Sequence, residues 1–135
     1  MAGPLLTYGV TLLLFLVIDG TWLGAIAGGL YRGQLGTLLA ERFNLAAAGV
    51  FYLLYPVGLS VFAVSPGLAE TGGFPLRALL LGALLGLTAY GTYDLTNLAV
   101  VRGWPLSITL IDLAWGTALS AVVAALAVVI LRALS

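Results

Sequence analysis

Three aspartates, Asp19, Asp94 and Asp112, lie inside strongly apolar stretches of this sequence. A charged aspartate at the centre of a bilayer costs about 2.5–3.5 kcal/mol on insertion scales, so each one needs a partner or a function. Ionised carboxylates accept hydrogen bonds, and protonated ones also donate them. The chemistry to expect is therefore proton transfer, or binding of a cationic or polar group.

Aromatic and polar side chains accompany these aspartates at helical spacing. Asp94 lies in the block Tyr90-Gly-Thr-Tyr-Asp-Leu-Thr-Asn97, and a tryptophan follows both Asp19 and Asp112 three residues later. Residues three, four and seven apart share one face of a helix. The residues that this pattern predicts to bind a ligand or protons are Asp19, Asp94, Asp112, Asn97, Tyr90, Trp22, Trp115, Tyr52 and Tyr55.

Composition predicts that the bilayer is the solvent of this chain. It is 62% hydrophobic and 7% charged, whereas a soluble domain carries about 25% charged residues. Four apolar runs, near residues 5–27, 45–64, 76–101 and 106–131, are each long enough for a membrane helix of about 20 residues. We expect an all-α polytopic membrane protein, a four-transmembrane-helix bundle with short loops that forms a single membrane domain over residues 1–135.

The connections between the four runs differ in character. Residues 31–44 are the most polar part of the chain, and they predict either a short amphipathic surface helix or a loop. Residues 65–75 are rich in glycine and proline and predict a loop. Residues 102–105 form a very short connection, so the third and fourth helices should be antiparallel neighbours. Trp104 and Tyr31, at helix ends, are typical of residues at the membrane interface.

Small residues recur every four positions in three of the runs. This spacing lets helix backbones approach closely in lipid and predicts helix packing without a further role. The residues concerned are Gly20, Gly24 and Gly28 in the first run, Gly82 and Gly86 in the third, and Ser120 and Ala124 in the fourth.

The three carboxylates have similar predicted depths. A rise of 1.5 Å per residue places them about 9–12 Å inside the same membrane face, which predicts one shared polar layer. Four explanations stay open: protonated carboxyls, water with a cation, the head of a polar or cationic ligand, or hydrogen bonds that only join helices. Three carboxylates at one depth are more than helix association needs, which favours a site.

Several residue types are missing, and each absence excludes a class of site. The chain has no cysteine and no histidine, so thiol catalysis, thiolate metal sites and histidine proton shuttles are excluded. All five basic residues are arginines that are scattered along the chain, so no surface for nucleic acid is predicted. We predict no metal and no cofactor. The expected partners are membrane lipids, a small ligand or lipid within the bundle, and a second copy in a homodimer.

Several motifs resemble the bacterial predicted membrane proteins known as domain of unknown function 2177. They are Asp19-Gly-Thr-Trp22, Phe51-Tyr-Leu-Leu-Tyr-Pro56, the block from Tyr90 to Ala99, Gly103-Trp-Pro-Leu106 and Asp112-Leu-Ala-Trp-Gly116. The resemblance covers nearly the whole chain and implies a multi-pass protein of the bacterial inner membrane. It implies no established activity, although such proteins are often encoded near lipid-modifying enzymes such as cyclopropane-fatty-acid synthase-like methyltransferases.

Three functions fit these observations. The first is binding or transport of a small polar or cationic solute, or of protons, at the aspartates. The second is a membrane enzyme that transfers protons on a lipid or another apolar substrate, with Asp94 and Asp112 as candidate catalytic residues and Tyr90 and Tyr93 as candidate proton donors. The third is a non-catalytic subunit of a larger membrane complex.

Overall fold

Four long helices make up the computed structural model, which describes residues 3–135. They are α1 (Pro4–Leu38), α2 (Leu45–Leu68), α3 (Leu76–Val100) and α4 (Leu106–Leu134), and each is long and apolar enough to cross a membrane. No strand occurs among the described residues. The predicted all-α bundle of four membrane helices is therefore confirmed.

Helix α1 is longer than its apolar run and changes its hydrogen-bonding pattern along its length. It is α-helical over Pro4–Thr21, π-helical over Trp22–Ala27, α-helical again over Gly28–Leu35, and ends in a 3₁₀ turn, Gly36–Leu38. The prediction that this helix ends near residue 27 was wrong. Gly36 has φ +53°, a conformation that suits glycine and ends the α-helical part.

The polar connection is consequently shorter than predicted. Residues 31–35 continue α1 instead of forming a separate surface helix or a loop, and only residues 39–44 lack helical structure. Asn44 then starts α2, because its side-chain oxygen accepts a hydrogen bond from the Ala47 backbone N–H at 3.1 Å. This is the usual way to satisfy a free donor at a helix N-terminus.

Helix α2 is also interrupted. It is α-helical over Leu45–Leu59, π-helical over Ser60–Val64 and α-helical over Ser65–Leu68, so it extends four residues beyond the predicted end at residue 64. Pro56 lies inside it and cannot donate a backbone hydrogen bond. The Ser60 hydroxyl donates to the Pro56 carbonyl oxygen at 2.7 Å. The regular α-helical pattern of α2 therefore changes near its middle.

Close packing is concentrated between α3 and α4. A Cβ atom added at Gly86 would collide with the backbone oxygen of Gly116, and one added at Gly82 would collide with that of Ser120. The predicted packing role of the small residues in these two helices is therefore confirmed. In α1, by contrast, a Cβ added at Gly20 or Gly24 would meet no atom, and one added at Gly28 would meet only the Leu23 carbonyl oxygen of the same helix. The predicted packing role of these three glycines was therefore wrong.

The two parts of α2 pack against different helices. Leu45–Leu59 packs on α1, whereas Ser60–Leu68 packs mainly on α3 and α4. At the far end of the bundle, the Arg132 guanidinium donates to the carbonyl oxygens of Gly73 at 2.8 Å and Glu70 at 3.2 Å. The beginning of α2 and the end of α3 are therefore apart, and the candidate site lies between them.

Candidate functional site

A pocket of about 630 Å³ lies among the four helices and is open to the surface. This volume is within the range of about 300–1,000 Å³ that is typical of small-molecule sites. Aromatic and aliphatic side chains form most of its wall. The lining residues are Asp19, Trp22, Leu23, Tyr31, Phe51, Tyr52, Tyr55, Ala89, Tyr90, Tyr93, Asp112 and Trp115.

Asp19 joins three helices at one end of this pocket. Its side chain is buried in α1 and accepts two hydrogen bonds, one from the Tyr52 hydroxyl of α2 at 2.6 Å and one from Trp115 Nε1 of α4 at 3.0 Å. Both carboxylate oxygens of Asp19 thus have a donor. Hydrogen bonds to a charged acceptor are shorter and stronger than those between neutral groups, so these two bonds can join the three helices firmly.

Asp112 has a different set of neighbours. The Tyr31 hydroxyl donates to Asp112 Oδ1 at 2.9 Å, and Trp22 Nε1 donates to the same hydroxyl at 3.4 Å. The rings of Trp22 and Trp115 stack with their centroids 4.3 Å apart and their planes at 10°. A connected polar and aromatic network thus links Asp19 with Asp112 through two tryptophans.

Tyr31 lines this pocket and lies inside α1, whereas the sequence pattern placed it at a helix end. In an uninterrupted α-helix, residues 22 and 31 would lie on opposite faces, because nine residues make about two and a half turns. The π-helical segment Trp22–Ala27 takes up more residues per turn, since its bonds run from i to i+5. This rotation brings Tyr31 round to the side of Trp22.

Asp94 is buried but does not line the pocket. Its side chain is fully shielded from solvent, and neither carboxyl oxygen has a hydrogen-bond partner among residues 3–135. The Asp112 carboxyl is close enough to interact with it electrostatically. Of the three predicted aspartates, two line the pocket and the third lies behind its wall.

Of the nine residues predicted from the sequence, seven line the pocket, all but Asp94 and Asn97. Asn97 is partly buried one turn beyond Asp94. No group of three acidic side chains within the described residues is arranged to hold a metal ion. Asp19 and Asp112 thus line one pocket without converging with Asp94 on one point, and the shared layer and the binding role of the aspartates stay predictions.

Comparison with known families decides the classification. A family model described as predicted membrane protein matches residues 4–129, which include every pocket residue. The chain belongs to the DUF2177 family. No curated protein and no solved structure matches the chain.

Sequence patterns missed four of the residues that line the pocket of this DUF2177 protein, and they indicated a fifth, Tyr93, only as a proton donor of the enzyme hypothesis. Phe51 was visible only as a member of a conspicuous aromatic motif, and Leu23 and Ala89 carry no signal, because apolar residues are common throughout the chain. The position of Tyr31 in the pocket could not be predicted without the π-helical segment, which changes the face of α1 on which Tyr31 lies. Membership of a pocket depends on the side that each helix presents, which a local pattern predicts only where the helix is regular.

The floor of the pocket is an aromatic cluster in this DUF2177 protein. Phe15 is fully buried, and its ring centroid lies 5.6 Å from that of Tyr52 and 5.4 Å from that of Tyr55. The Tyr55 hydroxyl shares a 2.6 Å hydrogen bond with the Ser120 hydroxyl, and its ring meets that of Tyr90 edge to face. These contacts orient the tyrosine rings that line the wall.

Proposed function

We propose that this DUF2177 protein binds, within the membrane, a small molecule that carries a cationic or hydrogen-bond-donating group. The observation that carries this proposal is a pocket with aromatic walls and two carboxylates but no basic lining residue. Ammonium groups are attracted both to carboxylates and to the faces of tryptophan and tyrosine rings. The charges and the rings of the pocket favour the same class of ligand.

The balance of donors and acceptors supports this ligand class. Asp112 receives one hydrogen bond, from Tyr31, so its carboxylate keeps free capacity as an acceptor. Asp19, with donors on both oxygens, adds negative charge at the other side of the stacked tryptophans. We infer that Asp112 is the principal contact of the bound cation and that Asp19 adds to the negative electrostatic potential at the position of the cation.

Helix association alone explains the pocket less well. Hydrogen bonds between membrane helices contribute only about 0.6 kcal/mol each on average, and they need no open volume beside them. The α3–α4 contact shows how closely this chain packs helices where small residues allow it. An open pocket beside two carboxylates is what a ligand site requires.

Fluorescence of the pocket tryptophans can test the proposal. Of the three tryptophans, Trp22 and Trp115 line the pocket and Trp104 does not. In Trp104→Phe, all tryptophan fluorescence therefore comes from the two pocket residues. The purified variant would be titrated in detergent micelles with tetramethylammonium chloride. We expect saturable binding that Asp112→Asn weakens about tenfold or more, because loss of a buried charge partner costs ~2 kcal/mol or more.

Glu70→Gln provides the matched control, because Glu70 is an exposed acid outside the pocket. It should bind tetramethylammonium as the parent does. The proposal would be abandoned if tetramethylammonium gave no saturable signal, or if Asp112→Asn and Glu70→Gln bound it equally well.

A protein that binds a cation in this pocket could also transport it across the membrane. Asp94 is the residue with which to test transport. A fully buried carboxyl beside Asp112 is a candidate site for a proton that exchanges with the bound cation. We propose that a transporting form is a homodimer in the bacterial inner membrane, because four helices are few for a transport path. Cation- or proton-dependent uptake into proteoliposomes that is unchanged by Asp94→Asn would remove Asp94 from this role.

A proton-transfer enzyme is the second candidate function, and the proximity of Asp94 to Asp112 favours it. Asp112 faces the pocket, Asp94 lies behind it, and Tyr90 and Tyr93 line the wall. A protonated and an ionised carboxyl in such an arrangement can act as acid and base. Lipid extracts of cells with the parent protein, with Asp112→Asn and without the protein should then differ; identical lipid profiles would argue against this function.

A further inference from the structure

The mouth of the pocket lies between α2 and α3, where these helices part. Leu45–Leu59 of α2 packs on α1, and contact with α3 is made mainly by Ser60–Leu68. The change of partner follows Pro56 and coincides with the π-helical segment that starts at Ser60. Proline and π-helical turns are the usual places where long helices change direction.

Two aromatic side chains border this mouth. Phe51 of α2 is 40% exposed and Tyr93 of α3 is 57% exposed, although both line the pocket. About 25 Å of helix separates Phe51 from the end of α2. The same length separates Tyr93 from the start of α3. Phe51 also lies about 10 Å after the start of α2, and Tyr93 lies about 10 Å before the end of α3. Because both side chains are this far from the helix ends, the mouth faces the acyl chains of a bilayer with a core of about 30 Å.

The nearer membrane face of the pocket is covered by the last part of α1. Tyr31 in Gly28–Leu35 reaches across to Asp112, and Gln34 on the next turn accepts a hydrogen bond from the Ser107 hydroxyl of α4. Two separate contacts thus hold this segment over the start of α4. An opening remains sideways, between α2 and α3, where Phe51 and Tyr93 are exposed; Leu23 of α1 is a further exposed lining residue.

We infer that this mouth is a lateral portal for a membrane-borne amphiphile with one alkyl chain and an ammonium head group. The inference rests on the proposed function, since the head would occupy the site of the cation beside Asp112. The chain would lie along Phe51 and Tyr93 and leave between α2 and α3. The pocket has the volume of one small molecule, so the rest of the chain remains among the lipids.

A photoactivatable amphiphile can test the portal. The probe is dodecylamine with a diazirine in the middle of its chain, added to the parent protein in phosphatidylcholine nanodiscs, with labelled residues identified by mass spectrometry. We expect labelling at Phe51 and Tyr93 and about tenfold less with the corresponding dodecanol probe, which lacks the charge that Asp112 recognises.

Ala89 provides a way to narrow the passage without touching an acidic residue. It lines the pocket one turn before Tyr93, so Ala89→Leu adds bulk at the α3 wall. Ala99→Leu adds the same bulk on the exposed surface of α3, outside the pocket, and is the matched control. Portal labelling should fall about tenfold in Ala89→Leu, by steric exclusion, and stay at the parent level in Ala99→Leu. If Ala89→Leu does not fold, Ala89→Val should give a smaller decrease in the same direction.

Failure of the portal and failure of the proposed function are distinguishable. Val17 and Ile26 of α1 line a separate groove and do not line the pocket. If tetramethylammonium binds in micelles but the chain probe labels Val17 and Ile26 instead, the portal is refuted and cation binding stands. The same conclusion follows if Ala89→Leu and Ala89→Val leave labelling unchanged. If neither tetramethylammonium nor dodecylamine binds in an Asp112-dependent manner, both the portal and the proposed function are wrong.

Discussion

The contact between α3 and α4 and the contact between α1 and the first part of α2 are built from different side chains. Within the most apolar window of each helix, 44% of residues are buried in α4 but only 22% in α1. Glycines and a serine bring the backbones of α3 and α4 together. Where α1 meets α2, Phe15 packs against the rings of Phe51 and Tyr52 instead.

This difference explains where the pocket forms. Small side chains let two helices approach until their backbones touch, which leaves no room between them. Large, stiff aromatic rings keep helices apart, and hydrogen bonds from Tyr52 and Trp115 to Asp19 hold them at that separation. The closed contact therefore acts as a support, and the open half carries the polar groups that can meet a ligand.

The largest effect is expected from filling the closed contact. Gly86→Leu would force α3 away from the Gly116 backbone, and we expect it to lower the free energy of unfolding by about 3 kcal/mol or more. Unfolding in mixed micelles, followed by circular dichroism, measures this. Gly20→Leu is the control, because Gly20 meets no neighbouring atom, and it should change stability by less than about 0.5 kcal/mol. Equal effects of the two substitutions would contradict the contrast between the closed and open halves.

The next effect tests the hydrogen bonds of the open half. Asp19→Ala leaves the Tyr52 hydroxyl and the Trp115 N–H without their acceptor, and we expect a loss of about 1–3 kcal/mol in the same unfolding measurement. Tyr52→Phe removes one donor only and should lose less. Stability equal to that of the parent in Asp19→Ala would mean that these bonds do not hold the pocket open.

A smaller effect is expected at the far end, where α2 joins the closed half. Arg132→Ala removes hydrogen bonds to the carbonyl oxygens of Gly73 and Glu70, and we expect it to cost about 1 kcal/mol. Hydrogen exchange of residues 69–75 should rise with it. Arg77→Ala, at an exposed arginine on the same side of the bundle, should leave both quantities unchanged; faster exchange in both variants would show that the Arg132 contacts are not responsible.

The smallest effect is expected from Asp94→Asn. Its carboxyl oxygens have no donor within the described part of the chain, and they interact with the Asp112 carboxyl, so the amide removes a potential buried charge and its repulsion from Asp112. We expect stability within about 0.5 kcal/mol of the parent, or higher, in contrast to Asp19→Ala. A loss above about 2 kcal/mol would mean that the Asp94 carboxylate has a strong partner, and it would remove the distinction between the two aspartates.

Much of the architecture was predictable because the signals are local. Four apolar runs of sufficient length specify four membrane helices, and Gly82 and Gly86 indicated the α3–α4 contact. Helix ends were less predictable. The continuation of α1 beyond residue 27 and of α2 beyond residue 64 depends on π-helical segments, for which the sequence has no dependable local signal.

The candidate site, like the architecture, was predictable only in part. Counting residues from the predicted helix ends put Asp19 and Asp112 in one layer, and the structure brings both to one pocket, although α1 continues eleven residues beyond the end that was used for Asp19. The position of Asp94 behind the wall was not predictable, because the side of α3 that faces the pocket depends on how α3 rotates against α4. Tyr31 was missed because the π-helical turns change the face on which it lies.

The sequence by itself determined the class of this protein and the number of its membrane helices, since the length of an apolar run is a property of the chain alone. Only the tertiary structure decided that Asp19 and Asp112 share an open pocket while Asp94 lies buried without a hydrogen-bond partner in residues 3–135. The reason is physical. The pocket exists where α2 leaves α3, and that separation is set by the packing of all four helices together.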